Sequence, residues 1–175
     1  MIMNRAWVMP SIWTFSMTPV QQLFSRYDVG EGWIDPFAGK HSPAEITNDI
    51  EDRGAMFQMD ALEFLKSRDD NSAIGALFDP PYSVEQCLRR YTPKQNGTAG
   101  RAEYWGRCKD EIARIIKPGG HVISFCWDST GIGKNRGFEI VEIMLLCHGA
   151  CHNDTIVTID TCKAKQISMF LGRIH

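Results

Sequence analysis

The chain has 175 residues, with 19 Lys and Arg against 21 Asp and Glu, and a formal net charge of −2 at pH 7. At 43% hydrophobic and 23% charged residues it has the composition of a soluble globular protein, long enough for one domain spanning residues 1–175 with its own core. The balance argues against indiscriminate nucleic-acid binding, and no run approaches the ~18 apolar residues that span a bilayer. The opening Met1-Ile2-Met3-Asn4-Arg5-Ala6-Trp7 lacks the long apolar stretch and small-residue cleavage site of a signal peptide, so a cytoplasmic location is expected.

In chain order, Thr18 to Arg26 reads as a short helix with Thr18 as N-cap and Pro19 at the first helical position. Glu31 to Asp35 and Ala44 to Asp49 read as short strands, each ending in an acid. A helix opens at Ala61-Leu62-Glu63-Phe64-Leu65-Lys66, with Asp60 as its cap. Ala73 to Phe78 is an apolar strand. Arg101 to Ile116 has amphipathic helical spacing and stops at Lys117-Pro118-Gly119-Gly120. A strand over 121–127 follows, and Phe138 to Cys147 and Thr155 to Cys162 are close enough in sequence to pair antiparallel. This alternation predicts an α/β sandwich with a mostly parallel sheet, whose ligands sit beyond the carboxyl ends of the strands. Asp35, Asp49, Asp60 and Asp79 all fall at or just after predicted strand ends and together outline a site.

The most informative segment is Leu77-Phe78-Asp79-Pro80-Pro81-Tyr82-Ser83. Two prolines cannot extend a strand ladder, and each fixes its own φ and restricts its predecessor. The result is a stiff turn at a strand's carboxyl end that presents a carboxylate, free carbonyls and one flat ring. Asp79 and the Pro80 carbonyl can each accept an N–H from an exocyclic amino group, and Tyr82 can stack on the base that carries it. Charge is also uneven: residues 1–82 hold 6 basic and 12 acidic residues, whereas 83–117 hold 8 and 4. Arg89, Arg90, Lys94, Arg101 and Arg107 thus follow the turn and suit a phosphate backbone threaded past it.

The six cysteines form no disulfide framework, and Cys126 reads as a buried reduced thiol. Cys147-His148-Gly149-Ala150-Cys151-His152 has metal-ligand residue types but the wrong spacing for a zinc site, so no metal is expected. The five tryptophans read as packing residues, with Trp105 beside the basic segment the candidate for stacking. His41, beside the 35–39 loop, is a minor candidate for a ligand role.

From about Trp13 to about Cys162 the chain resembles the S-adenosylmethionine-dependent DNA amino-methyltransferases of the adenine-N6 type, in a small phage-like form. Asp35-Pro36-Phe37-Ala38-Gly39 is similar to the family's first motif, which holds the methionine part of the cofactor. Asn48-Asp49-Ile50 is similar to the acidic strand end that takes the ribose hydroxyls, and Asp60-Ala61 to the position that meets the adenine. Thr14-Phe15-Ser16-Met17-Thr18-Pro19 is similar to the segment that closes over the methionine end, and Asp79-Pro80-Pro81-Tyr82 to the catalytic motif. The resemblance implies a Rossmann-like class I methyltransferase sandwich with a seven-stranded sheet ending in an antiparallel hairpin. It further implies S-adenosyl-L-methionine as cofactor, DNA as partner and adenine N6 as acceptor. Two departures stand out. Residues 36–48 are too few for a crossover helix plus a strand, so a loop is expected in the helix's place. No segment remains for a separate target-recognition domain, which leaves sequence choice to the 83–108 insertion, the hairpin, a second subunit of a homodimer or a specificity partner. An RNA or cytosine-N4 amino-methyltransferase, or an inactive methyltransferase-like binding module, remain alternatives.

Overall fold

The computed structural model describes residues 1–51, 53–81, 102–149 and 152–163. Its strands are β1 (Ile2–Trp7), β2 (Trp33–Asp35), β3 (Ile46–Asp49), β4 (Phe57–Gln58), β5 (Ala73–Phe78), β6 (Ile116–Cys126), β7 (Phe138–Cys147) and β8 (Thr155–Cys162). Its helices are α1 (Thr18–Arg26), α2 (Ala61–Lys66) and α3 (Ala102–Ile115), with a 3-10 turn at Thr14–Ser16 and another at Lys134–Arg136.

The sheet order is β1-β7-β8-β6-β5-β2-β3-β4. The pairs among β6, β5, β2, β3 and β4 are parallel, as is β1 with β7. β8 runs antiparallel to both its neighbours, so the hairpin closes by inserting its second strand between β7 and β6. This is the expected α/β sandwich, with eight strands among the described residues rather than seven. The additional one is β1, an edge strand of low burial whose residues show no clean alternation of polar and apolar. It forms because its backbone finds the free edge of β7, from Ile2 beside Glu142 to Trp7 beside Cys147.

Strand alternation sorts the core into two layers. Ala76, Phe78 and Val122 face α2 and α3, where Leu62, Phe64, Leu65, Cys108, Ile112 and Ile115 meet them. Leu77, Ile123, Phe125, Val157 and Ile159 face the opposite side, covered by α1 through Val20, Leu23 and Phe24. The i, i+3, i+4 spacing of those three residues makes α1 a one-sided helix. Its start differs from expectation: Met17 is the cap residue and Thr18 lies inside the first turn. Met17 is buried among the α1-face residues and its carbonyl accepts from Val20 and Gln21, so packing rather than hydroxyl capping sets this end. Asp60 does cap α2, accepting from the Leu62 and Glu63 amides at 2.9 and 3.2 Å.

Between β2 and β3 there is no helix, as the short spacing requires. Side chains hold the loop instead. The Asp35 carboxylate accepts from Phe37 N at 2.9 Å and Ser42 Oγ at 2.6 Å, and the Asp49 carboxylate accepts from Gly39 N at 2.9 Å. Asn48, fully buried, donates to the carbonyls of Pro36 and Met59 and accepts from Met59 N, which joins this loop to the segment before α2.

Candidate active site

The carboxyl ends of β2, β3 and β5 lie side by side, and an open cleft enclosing roughly 700 Å³ of empty space, solvent at its mouth included, is found there. Phe37, Ala38 and Gly39 of the loop after β2 line it, with Asp49 at the end of β3 and Asp79, Pro80 and Pro81 after β5. The N-terminal segment supplies a further wall through Ile12, Trp13, Thr14 and Phe15. The turn 79–81 thus opens onto the same space as the 36–39 loop, a convergence that chain order alone could not establish. Gly39 has a φ of +57°, the left-handed region that favours glycine, and this lets the loop bend under the Trp13 ring.

The expected site residues separate into two groups. Thr14, Phe37, Gly39, Asp49, Asp79, Pro80 and Pro81 line the cleft. Asp35, Pro36, Ile50, Asp60 and Ala61 do not line it. Asp35 lies beneath it, fully buried. Desolvation pushes the Asp35 carboxyl up to about 7, and the neighbouring Asp79 and Asp49 carboxylates add to the rise. Asp35 therefore lies within electrostatic reach of two acids that line the cleft. Both Asp60 oxygens are engaged: Oδ1 caps α2, and Oδ2 accepts from the Tyr104 hydroxyl at 2.7 Å. Arg107 is exposed on α3. Tyr82, Arg89, Arg90, Lys94 and Arg101 lie outside the described residues.

The structure brings in Trp13 and Arg53, which sequence reasoning left aside, and seats the minor candidate His41 with them. Trp13 is a wall of the cleft, its ring 5.3 Å from the edge-on His41 ring, 5.9 Å from Lys40 Nζ and 6.0 Å from the Arg53 guanidinium carbon. His41 and Arg53 also line the cleft. Acids below and a cation–aromatic group above make it polar in both senses. Contact between residue 13 and residues 40, 41 and 53 is non-local, and no local pattern signals it. The Cys147–His152 stretch is used structurally in its described part: the His148 ring nitrogens lie 3.2 Å from Val8 O and 3.1 Å from Thr155 Oγ1. Among the described residues no group of three or more His, Cys, Asp or Glu could hold a metal ion. Cys126 is only part-buried, because its Sγ turns toward Asp128 Oδ2 at 3.3 Å.

No protein-family model matches the chain, and no curated protein matches it. Solved structures do. The chain is similar to the Burkholderia thailandensis 1,6-didemethyltoxoflavin-N1-methyltransferase, a structure holding 1,6-didemethyltoxoflavin and S-adenosylhomocysteine. The TM-score is 0.56 at 11% identity, over 82% of this chain and 76% of that one. It is also similar to TrmN from Thermus thermophilus, with a TM-score of 0.52 at 14% identity, over 83% of this chain but only 49% of that one. At such identities the likeness is one of fold, and the fold is the class I methyltransferase sandwich.

Among the described residues no helix is long and apolar enough to cross a membrane.

Proposed function

We propose that the protein transfers a methyl group from S-adenosyl-L-methionine to the exocyclic N6 amino group of adenine in DNA. The observation that carries this reading is the opening of the Asp79-Pro80-Pro81 turn into the cleft walled by the 37–39 loop and Asp49. A methyl donor and an amine acceptor need that adjacency. The cleft suits a zwitterionic sulfonium ligand, since acids (Asp49, Asp79) and bases (His41, Arg53) line the same space. Thr14, Trp13 and the 37–39 loop would hold its methionine part, and Asp49 would face its ribose. When bound, the cofactor supplies a methyl group already activated on a sulfonium, so no covalent enzyme intermediate is needed.

The chain's own contribution is positioning and electrostatics. The amino group of adenine is a poor nucleophile because its lone pair is delocalised into the ring. Asp79 and the Pro80 carbonyl accept hydrogen bonds from its two N–H groups, favour a pyramidal nitrogen and so localise that lone pair; the methylated nitrogen then gives up one N–H proton, to Asp79 or to solvent. The stiffness of Pro80 and Pro81 keeps both acceptors aimed without reorganisation. Tyr82, next in sequence, would stack on the base, which in a duplex must first be flipped out. The basic residues from Arg89 to Arg107 would hold the phosphate backbone. An RNA acceptor uses the same chemistry and is the second reading, favoured equally by that basic segment.

The test is transfer of a labelled methyl group to DNA and to RNA in separate reactions, followed by digestion to nucleosides. N6-methyladenine from DNA is expected; label in RNA alone moves the assignment to RNA, and label in N4-methylcytosine moves the acceptor. Asp79→Ala should lower transfer at least a thousandfold and leave the calorimetric affinity for S-adenosylhomocysteine within about twofold of wild type. Retained transfer in that variant contradicts the role assigned to the carboxylate.

A further inference from the structure

The edge strand β1 uses only one of its two sides. Its inner side pairs with β7 in an unbroken register, and among the described residues no strand pairs with its outer side. Sheets commonly blunt such an edge with lysine, proline or a bulge, because a row of unpaired amides and carbonyls is a template for another strand. The run Ile2-Met3-Asn4-Arg5-Ala6-Trp7 has no lysine, no proline and no bulge, and Arg5 is its one charge.

Strand alternation sets what each face presents. Ala6 packs against the α1-side core, and Asn4 bonds Glu142 on that same side. Met3, Arg5 and Trp7 therefore stand on the opposite face, with Met1 next in the alternation. Met3 and Trp7 are each 72% exposed and Met1 78%, and Ile2 is 57% exposed on the α1 side. The apolar surface continues into the sheet: Met3 and Arg5 lie beside Ile143 and Leu145 of β7, which are half-buried. Single exposed apolar side chains are ordinary, whereas a contiguous group along an open edge marks a contact surface.

We propose that this edge is the interface of a two-fold dimer, in which β1 pairs antiparallel with β1 of a second copy of the chain and the two sheets become one. The strand is complementary to itself. A two-fold axis normal to the sheet at Asn4 sets Asn4 against its own copy, Ile2 against the partner's Ala6, Met3 against the partner's Arg5 and Met1 against the partner's Trp7. Each opposed pair shares a face, a thioether meets an indole, and no charge meets its like. A register centred on Arg5 would instead oppose two guanidinium groups. Met1, Ile2, Met3 and Trp7 are each more than half exposed. At on the order of 200 Å² per free side chain they offer roughly 600 Å² per protomer, which brings two copies to the ~1,200 Å² at which stable interfaces begin. A phosphate backbone would need a row of cations here, and Arg5 is the strand's one cation. The pairing is isologous, so it fills the open edge of both copies at once and assembly stops at two.

The experiment is sedimentation equilibrium of the full chain from low to high micromolar concentration, on wild type, Met3→Lys and Met3→Glu. Position 3 is exposed, so both variants keep the fold, which circular dichroism checks. Wild type should sediment at twice the chain mass. Met3→Lys brings a cation against the partner's Arg5 twice across the axis and should raise the dissociation constant about tenfold or more. Met3→Glu brings an acid to the same place and should stay within about threefold of wild type, although it removes the same apolar side chain. A wild type that remains monomeric at the highest concentration overturns the proposal, whether its edge stays open or another part of the chain fills it. A dimer that Lys and Glu weaken equally, or that neither affects, is built through another surface or register and overturns it as well.

Discussion

Asp35 and Asp160 are fully buried carboxyl groups, the first beneath the cleft and the second packed against Gly131 in the loop after β6. Desolvation raises Asp35 from an ordinary 3.8 to about 7 and Asp160 from 3.8 to about 6. Asp160 Oδ1 has no hydrogen-bond partner among the described residues, and neither does Ser124 Oγ on the adjacent strand. Because the folded values lie above the unfolded ones, the unfolded chain releases these protons first. The stability each contributes is complete below about pH 4 and is lost as pH climbs through 6 for Asp160 and 7 for Asp35. Asp160→Asn removes one of the two titrations. Urea unfolding at pH 5 and pH 8 should show a stability loss about 1 kcal/mol smaller in the variant than in wild type. Identical pH dependence in the two proteins would show that Asp160 does not titrate in this range. Burial at position 160 is invisible locally, since Asp160 reads as one polar residue in an alternating strand.

At the scale of elements, close approaches decide what composition leaves open. Gly75 sits inside β5, where glycine ordinarily weakens a strand. Here an ideal Cβ would lie 2.4 Å from the buried Trp33 indole of the neighbouring β2, so the missing side chain is what lets the two strands pair. Gly75→Ala should cost about 2–3 kcal/mol of unfolding free energy. A loss below ~0.5 kcal/mol would mean that Trp33 has an alternative rotamer to occupy. The two helix starts show how far local chemistry reaches. The Asp60 cap was legible because its carboxylate bonds amides two and three residues ahead. The start of α1 was misplaced by one residue because the burial of Met17 fixed it, and burial depends on residues far away in sequence. The absent helix between β2 and β3 was legible from spacing alone. That Asp35, Asp49 and Asn48 would hold the loop in its stead was not.

Across the whole molecule, one side chain ties the edge of the sheet to the helix that covers it. Glu142 of β7, almost fully buried, accepts from Arg26 Nη1 and Nη2 at 3.1 and 2.6 Å, from the Tyr27 hydroxyl at 2.9 Å and from Asn4 Nδ2 at 3.0 Å. Those partners belong to α1, to its C-terminal cap and to β1. Glu142→Ala strips the acceptor from all of them and should cost about 2–3 kcal/mol. Hydrogen exchange should show the loss concentrated in the β1 amides; uniform loss across the sheet would mean that Glu142 supports the core rather than the edge.

The amino-acid sequence by itself determined the α/β class, the acids at strand ends, the closing hairpin and the stiff acidic turn at residues 79–81. Each of these is a local matter of hydrophobic period, proline geometry or spacing, and a few consecutive residues suffice to specify it. Only the tertiary structure decided that Trp13 and Arg53 wall the cleft, that Asp60 is occupied by Tyr104 and that β1 joins the sheet. These depend on contacts between distant segments, whose closure is set by the packing of the whole core rather than by any one stretch of chain.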